Sequence, residues 1–171
     1  MAAKTTLYYR RRKLQEAGKL VKVTKGVYAK PEDLMDLEGD FYRATLICGK
    51  SSVICLASAL QYYGLSERLS GKTVVMVPYE TAPSRNKRLR VVRSRNPRFR
   101  IGVVKHPRFK ITNVERSIVD TFRYWRLAGI NDAIYGLKIA LKERQTTKSK
   151  IYDMAKKLNA GKLILPYLEA V

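Results

Sequence analysis

The sequence predicts an α+β fold, and three observations carry that expectation. A short glycine-turned hairpin follows the first helical segment, β-branched runs occupy the middle of the chain, and from Thr112 onward the apolar residues recur at helical spacing. With 171 residues, 46% of them hydrophobic, the chain can bury about 70% of the surface that its unfolded form exposes. Disorder is not expected.

Taken in order, Thr5 and Thr6 are expected to cap a helix from about Leu7 to Ala17, which Gly18 ends. Leu7 and Leu14 share one face with Ala17 beside them, a thin apolar stripe. Arg10, Arg11, Arg12 and Lys13 fill more than a full turn. Leu20 to Thr24 and Val27 to Ala29 flank Lys25-Gly26 and read as a hairpin. A basic helix followed at once by a basic hairpin is the second half of a winged helix-turn-helix, incomplete here because only Met1 to Lys4 precede the helix. Residues 1–38 are assigned to this part, and residues 39–171 to a mixed α/β domain with a C-terminal helical bundle.

The acidic stretch Glu32, Asp33, Asp36, Glu38 and Asp40 is expected to be a linker or helix start at the boundary. Residues 41–63 read as two helices separated by a short turn around Gly49, the second ended by Gly64. Thr73 to Val77 is a buried strand stopped by Pro78. Thr81 to Arg88 is a loop, and Leu89 to Arg93 and Arg100 to Lys105 are strands with basic and apolar residues interleaved, as on a half-buried sheet with a basic open face. Asn113 caps a helix whose apolar face is Val114, Ile118, Val119 and Phe122. Further helices are expected near 131–143 and 147–158, then an apolar tail from Leu163.

Charge narrows the function. The formal net charge is +21, from 35 Lys and Arg against 14 Asp and Glu, and the pI is near 10.2. Such a chain favours polyanions, nucleic acid before an acidic protein or anionic lipid. The excess is uneven. Residues 1–30 hold nine basic side chains and one acidic, residues 31–40 hold five acids and no base, and residues 81–110 hold eleven basic groups and no acid. Like-charge blocks repel, so they call for a counter-charge such as a phosphate backbone.

In the first block, Thr5, Thr6, Tyr9 and Arg10 are placed for base edges if the helix enters a major groove. Arg11, Arg12 and Lys13 would meet phosphates, and the wing would add Lys22 and Lys25. Tyr28 is read as core. In the second block Arg85, Lys87, Arg88, Arg90, Arg93 and Arg95 can track a strand of RNA or DNA, with Tyr79 and Phe99 near enough to stack but favoured as core.

Chemistry has little support. The carboxylates are sparse, and Cys48, Cys55 and the single His106 offer neither a CxxC nor a zinc set, so no metal, cofactor or catalytic residue is expected and the cysteines read as buried thiols. Glu115, Arg116 and Asp120 have the spacing of a helix-anchoring ion pair. No run reaches the ~20 apolar residues of a membrane span and no secretory signal is visible, so a cytoplasmic protein is expected.

Three segments in order resemble one family. Gly18 to Pro31 (GKLVKVTKGVYAKP) is similar to the wing signature of AbiEi-type antitoxins of type IV toxin–antitoxin systems. Leu56-Ala57-Ser58-Ala59-Leu60 with Tyr63-Gly64-Leu65 resembles that family's Ser-Ala-Leu…Gly-Leu helix. Val114 to Asp120 resembles its Glu-Arg-Thr-Leu-Val-Asp helix. The resemblance implies a winged-helix transcription regulator and repressor that binds duplex DNA at its own promoter, with a C-terminal domain that counteracts a nucleotidyltransferase toxin. The rival reading of the residues is a general RNA-binding or ribosome-associated basic protein.

Overall fold

The structure, a computed structural model, describes residues 2–68, 71–82, 84, 86–95 and 97–171, the first four of them as backbone only. Its architecture is mixed α+β, with two sheets. Helix α1 (Ala2–Glu16) leads into the hairpin β1 (Val21–Thr24) and β2 (Val27–Ala29), antiparallel with Lys22 opposite Tyr28. Gly26 makes the turn at φ 79° and Gly18 closes α1 at φ 69°, both in the left-handed region that glycine adopts without strain. The helix begins earlier than its composition suggested, so Thr5 and Thr6 lie inside it and do not cap it. Its alanines and lysine at the start are good helix formers, which extends the segment back past the threonines.

The acidic stretch is not an open linker. Pro31–Leu34 forms a 3₁₀ turn, and Asp36 caps α2 (Leu37–Cys48) by accepting from the Gly39 amide at 2.6 Å. Glu38 and Asp40 then stand in the first turn, where the helix dipole favours negative charge. Arg108 reaches across to Asp33 and Glu38 at 3.5 and 3.4 Å, so the acids also meet the basic block.

The larger sheet has five strands in the order β5-β4-β3-β7-β6. Its centre is β3 (Val53–Ile54), antiparallel to β4 (Thr73–Pro78) and parallel to β7 (Lys110–Thr112). β5 (Leu89–Ser94) runs parallel to β4 along the outer edge, and β6 (Val103–Lys105) pairs antiparallel with β7 at the opposite edge. Neither β3 nor β7 was expected from the sequence. Two and three residues are too few to show a period, and β3 passes straight into α3 (Leu56–Tyr62) at Leu56, a buried residue with φ 51°. The interleaving expected of Leu89 to Arg93 is present on edge strand β5, where Leu89 and Val92 are buried and Arg90 and Arg93 exposed. The strand expected from Arg100 starts only at Val103, because Arg98–Arg100 is a 3₁₀ turn. The central strands are covered on both faces. Val75, Val77 and Ile54 pack with Phe41 and Ala44 of α2, whereas Val74, Met76 and Val53 pack with Cys55, Leu56 and Phe99 on the other face.

Asn113 caps α4 (Val114–Arg123) as expected, its Oδ1 accepting from the Arg116 amide at 3.0 Å. After the short α5 (Trp125–Ala128) come α6 (Ile130–Lys142), α7 (Lys148–Lys157) and α8 (Gly161–Glu169). The apolar tail is thus helical, with Pro166 inside α8. Ile118, Val119 and Phe122 of α4 form the helical core with Leu137, Ile151, Ala155 and Ile164. No described helix is long and apolar enough to cross a membrane.

Candidate nucleic-acid interface

The first basic surface is α1 with its hairpin. Leu14 and Gln15 are half-buried, and the remaining described side chains of α1 are exposed. Arg11 lies over the Tyr28 ring at 5.5 Å from its centroid, so Arg11, with the half-buried Leu14 one turn on, marks the face turned to the hairpin. Thr6, Tyr9, Arg10 and Lys13 share a second face, one turn after another, and all are exposed. Arg12 is bonded to Glu16 at 2.9 Å on the surface. Lys22 and Lys25 are exposed on β1 and in the turn. The Thr5 side chain lies outside the described residues. Leu7, Tyr8 and Tyr9 are 54, 61 and 63% exposed, a high value for apolar and aromatic groups.

The second basic block does not form one surface. Strand β5 advances about 3.3 Å per residue, so Arg88 and Arg95 stand about 20 Å apart at its two ends. Lys87, Arg88 and Arg90 belong to the amino end. There Arg90 donates through Nη1 to the Leu127 carbonyl at 3.3 Å and lines a cleft of about 410 Å³ with Arg68, Lys72 and Asp132. Arg93 and Arg95 belong to the carboxyl end. Arg85 lies outside the described residues.

At that carboxyl end the chain builds a cleft of about 480 Å³ lined by Tyr79, Arg93, Arg95, Arg98, Arg123 and Tyr124, among others. Tyr79 follows the last residue of β4, and Arg95 follows the last residue of the parallel β5. Arg93 and Arg95 lie over the Tyr79 ring, with their guanidinium carbons 5.0 and 4.2 Å from its centroid. Tyr79 is 42% exposed, which corrects the expectation that it is core, whereas Phe99 is buried as expected. Its neighbours on β4 alternate into two covered faces, but Tyr79 lies beyond the strand end where neither cover reaches.

Arg98 and Arg123 reach the cleft through a buried network. The Arg116 side chain, 1% exposed, donates from Nε to Asp120 Oδ2 at 3.0 Å. Its Nη1 donates to the carbonyls of Phe99, at 3.1 Å, and Ile101, and its Nη2 to Met76 Sδ at 3.3 Å. Arg116 therefore ties α4 to the turn that carries Arg98 and to β4. Asp120 Oδ1 accepts from Arg123, so one carboxylate is shared by two guanidiniums. Arg98, Arg123 and Tyr124 were missed in the sequence. Arg98 falls in the same acid-free block and was legible by charge, but nothing local announces that a helix end brings Arg123 and Tyr124 beside it.

The groups considered for chemistry have packing roles. His106 stacks on Phe109, ring centroids 4.7 Å apart and 5° from parallel, with the Tyr62 ring edge-on. Cys55 is buried and burial pushes its thiol pKa up, while Cys48 is only half-buried and is raised by the same cause. Both are held as thiols, the unreactive form. Among the described residues no three His, Cys, Asp or Glu side chains converge as metal ligands. No protein-family model matches the chain, and no curated protein matches it either.

Proposed function

We propose that the chain is an antitoxin and transcriptional autoregulator of the AbiEi kind. In this reading α1 and the hairpin act as recognition helix and wing of a winged helix on duplex DNA at the chain's own promoter, and the rest of the chain counteracts a nucleotidyltransferase toxin. It is a binding protein of the cytoplasm with no chemistry of its own. The observation that carries the reading is the exposure of α1 beside an exposed basic hairpin. A helix that buries so little of itself gains little from tertiary packing, which normally supplies most helical stability. A phosphate backbone would neutralise its Thr6-Tyr9-Arg10-Lys13 face and cover its exposed tyrosines. Of the three family-like segments, in family order, the wing-like Gly18 to Pro31 supports the DNA-binding half and the two later ones support the antitoxin half.

The test is a comparison of the promoter fragment with random duplex by fluorescence anisotropy at ~150 mM salt, where sequence readout adds to counterion release. Retained preference for the promoter is expected. Replacing Arg10 to Lys13 with Ala should weaken duplex binding and reduce the salt slope by about 0.9 for each phosphate that is no longer neutralised. Equal affinity for both duplexes refutes the repressor and favours a general basic RNA- or ribosome-binding protein. Co-expression with the nucleotidyltransferase of the same operon should restore growth, and continued toxicity with soluble chain present refutes the antitoxin role.

A further inference from the structure

We propose that the arginine cleft at the carboxyl ends of β4 and β5 binds the phosphodiester backbone of single-stranded nucleic acid, with Arg93, Arg95, Arg98 and Arg123 as phosphate donors and Tyr79 as the stacking platform. The site is distinct from the duplex face of α1 and does not depend on it. Three observations converge. The first is charge: four guanidiniums line one cleft, and the sequence from Thr81 to Lys110 supplies no carboxylate to neutralise them. The nearest acid in the network, Asp120, is buried behind the cleft and already shared by Arg116 and Arg123. Among the described residues Arg93, Arg95 and Arg98 have no acidic partner, an arrangement that is repulsive until an anion enters.

The second is geometry. A guanidinium resting against an aromatic ring uses its flat face, and its in-plane N–H fork stays free for the two oxygens of a phosphate. The Arg95 guanidinium carbon lies over the Tyr79 ring, 4.2 Å from its centroid, a distance that suits this contact. Tyr79 remains 42% exposed, so a base can reach the cluster that it forms with Arg93 and Arg95 and stack there. The flanking Tyr124 ring lies 5.4 Å from the Arg123 guanidinium. The third is position. Ligands of open α/β sheets sit outside the carboxyl ends of parallel strands, where backbone leaves the sheet and side chains from several elements converge. Here β4, β5, the 98–100 turn and α4 each contribute. Arg116 is the positioning residue, because it fixes both the turn bearing Arg98 and the carboxylate that holds Arg123.

A strip of single-stranded backbone suits the cleft better than a duplex. Arginines spread over three elements around a concave site can follow a flexible strand, and an unpaired base is needed to offer its face to Tyr79. The chemistry shared with free nucleotides is the phosphate, so the experiment must separate the two.

The test uses the full chain and a 5′-labelled 12-nucleotide single-stranded RNA of mixed sequence, read by anisotropy at ~100 mM salt. Single-stranded DNA of the same sequence, the promoter duplex and ATP serve as unlabelled competitors. Arg95→Ala with Arg98→Ala, and separately Tyr79→Ala, should each weaken single-strand binding about tenfold, the scale of one base stack or one charge-assisted hydrogen bond. Arg10→Ala with Lys13→Ala should leave it within about twofold and weaken only duplex binding. All these side chains are exposed, and an unchanged thermal transition confirms that the variants fold. Arg95→Lys, which keeps the charge and loses the fork, should retain part of the affinity.

Unchanged single-strand affinity in the cleft variants overturns the proposal. ATP competing as well as the oligonucleotide assigns the cleft to free nucleotides and also overturns it. Loss of duplex and single-strand binding by equal factors in the cleft variants does the same, since the cleft would then be part of the duplex surface. Failure of promoter preference with single-strand binding intact refutes the repressor alone.

Discussion

The buried Arg116–Asp120 pair offers the sharpest check on the interior. Their side chains are 1 and 2% exposed, and the pair sits where α4, the 98–101 turn and β4 meet. Arg116→Ala removes a guanidinium that serves one carboxylate, two carbonyls and a thioether. Asp120 keeps only Arg123, which is partly exposed. Breaking a buried pair from one side costs about 3–5 kcal/mol, because the remaining charge is left in a low dielectric. For a chain of this size each kcal/mol lowers the melting temperature by about 2–4 °C, so a fall on the order of 10 °C is expected. Thermal and urea unfolding measure it directly. The pair is expected to be less valuable than its breakage suggests: Arg116→Met with Asp120→Leu, which removes both charges and refills the space, should recover at least half of the loss. A loss below about 1 kcal/mol for Arg116→Ala, or additive losses in the double variant, would refute the buried network.

Three further expectations follow from single positions. A Cβ on Gly39 would lie 2.6 and 2.7 Å from the backbone carbon atoms of Leu34, so Gly39→Ala should destabilise by about 1–3 kcal/mol despite the better helix former; a neutral or stabilising result in urea unfolding would show that the 3₁₀ turn and α2 are not held this closely. The Thr147 hydroxyl caps α7 by accepting from the Lys150 amide at 3.3 Å, so Thr147→Ala should cost about 1 kcal/mol and Thr147→Ser much less. Burial raises the Tyr63 phenol from 10.0 to about 12, its hydroxyl donating to the Thr112 carbonyl at 3.0 Å. The neutral form is the one favoured by folding, so this contribution is complete below pH 10 and is lost as the pH rises towards 12. Urea midpoints at stepped alkaline pH should fall less steeply in Tyr63→Phe than in the wild type, and parallel curves would reject the assignment.

What the sequence made legible was whatever is encoded within one turn or one hairpin. Gly26 between two β-branched runs, Gly18 after a helix and Asn113 before an apolar face each state a local backbone requirement, and each is met. The pattern is silent where structure depends on distant partners. Val53–Ile54 is the middle strand of the sheet, yet two apolar residues between helices have no period to read. Arg116 and Asp120 show their spacing in the sequence, but not that both are buried. The charge blocks show the same limit most clearly. A run from Arg85 to Arg95 looks like one patch because sequence measures separation in residues. An extended strand converts seven residues into about 20 Å, which places Arg88 and Arg95 at opposite ends of the sheet. Folding then returns Arg123, from a helix nearly thirty residues further on, to the side of Arg95. Electrostatic work scales with distance in space, so the group that matters for binding an anion is the four-arginine cleft, assembled by α4 and the sheet edge together.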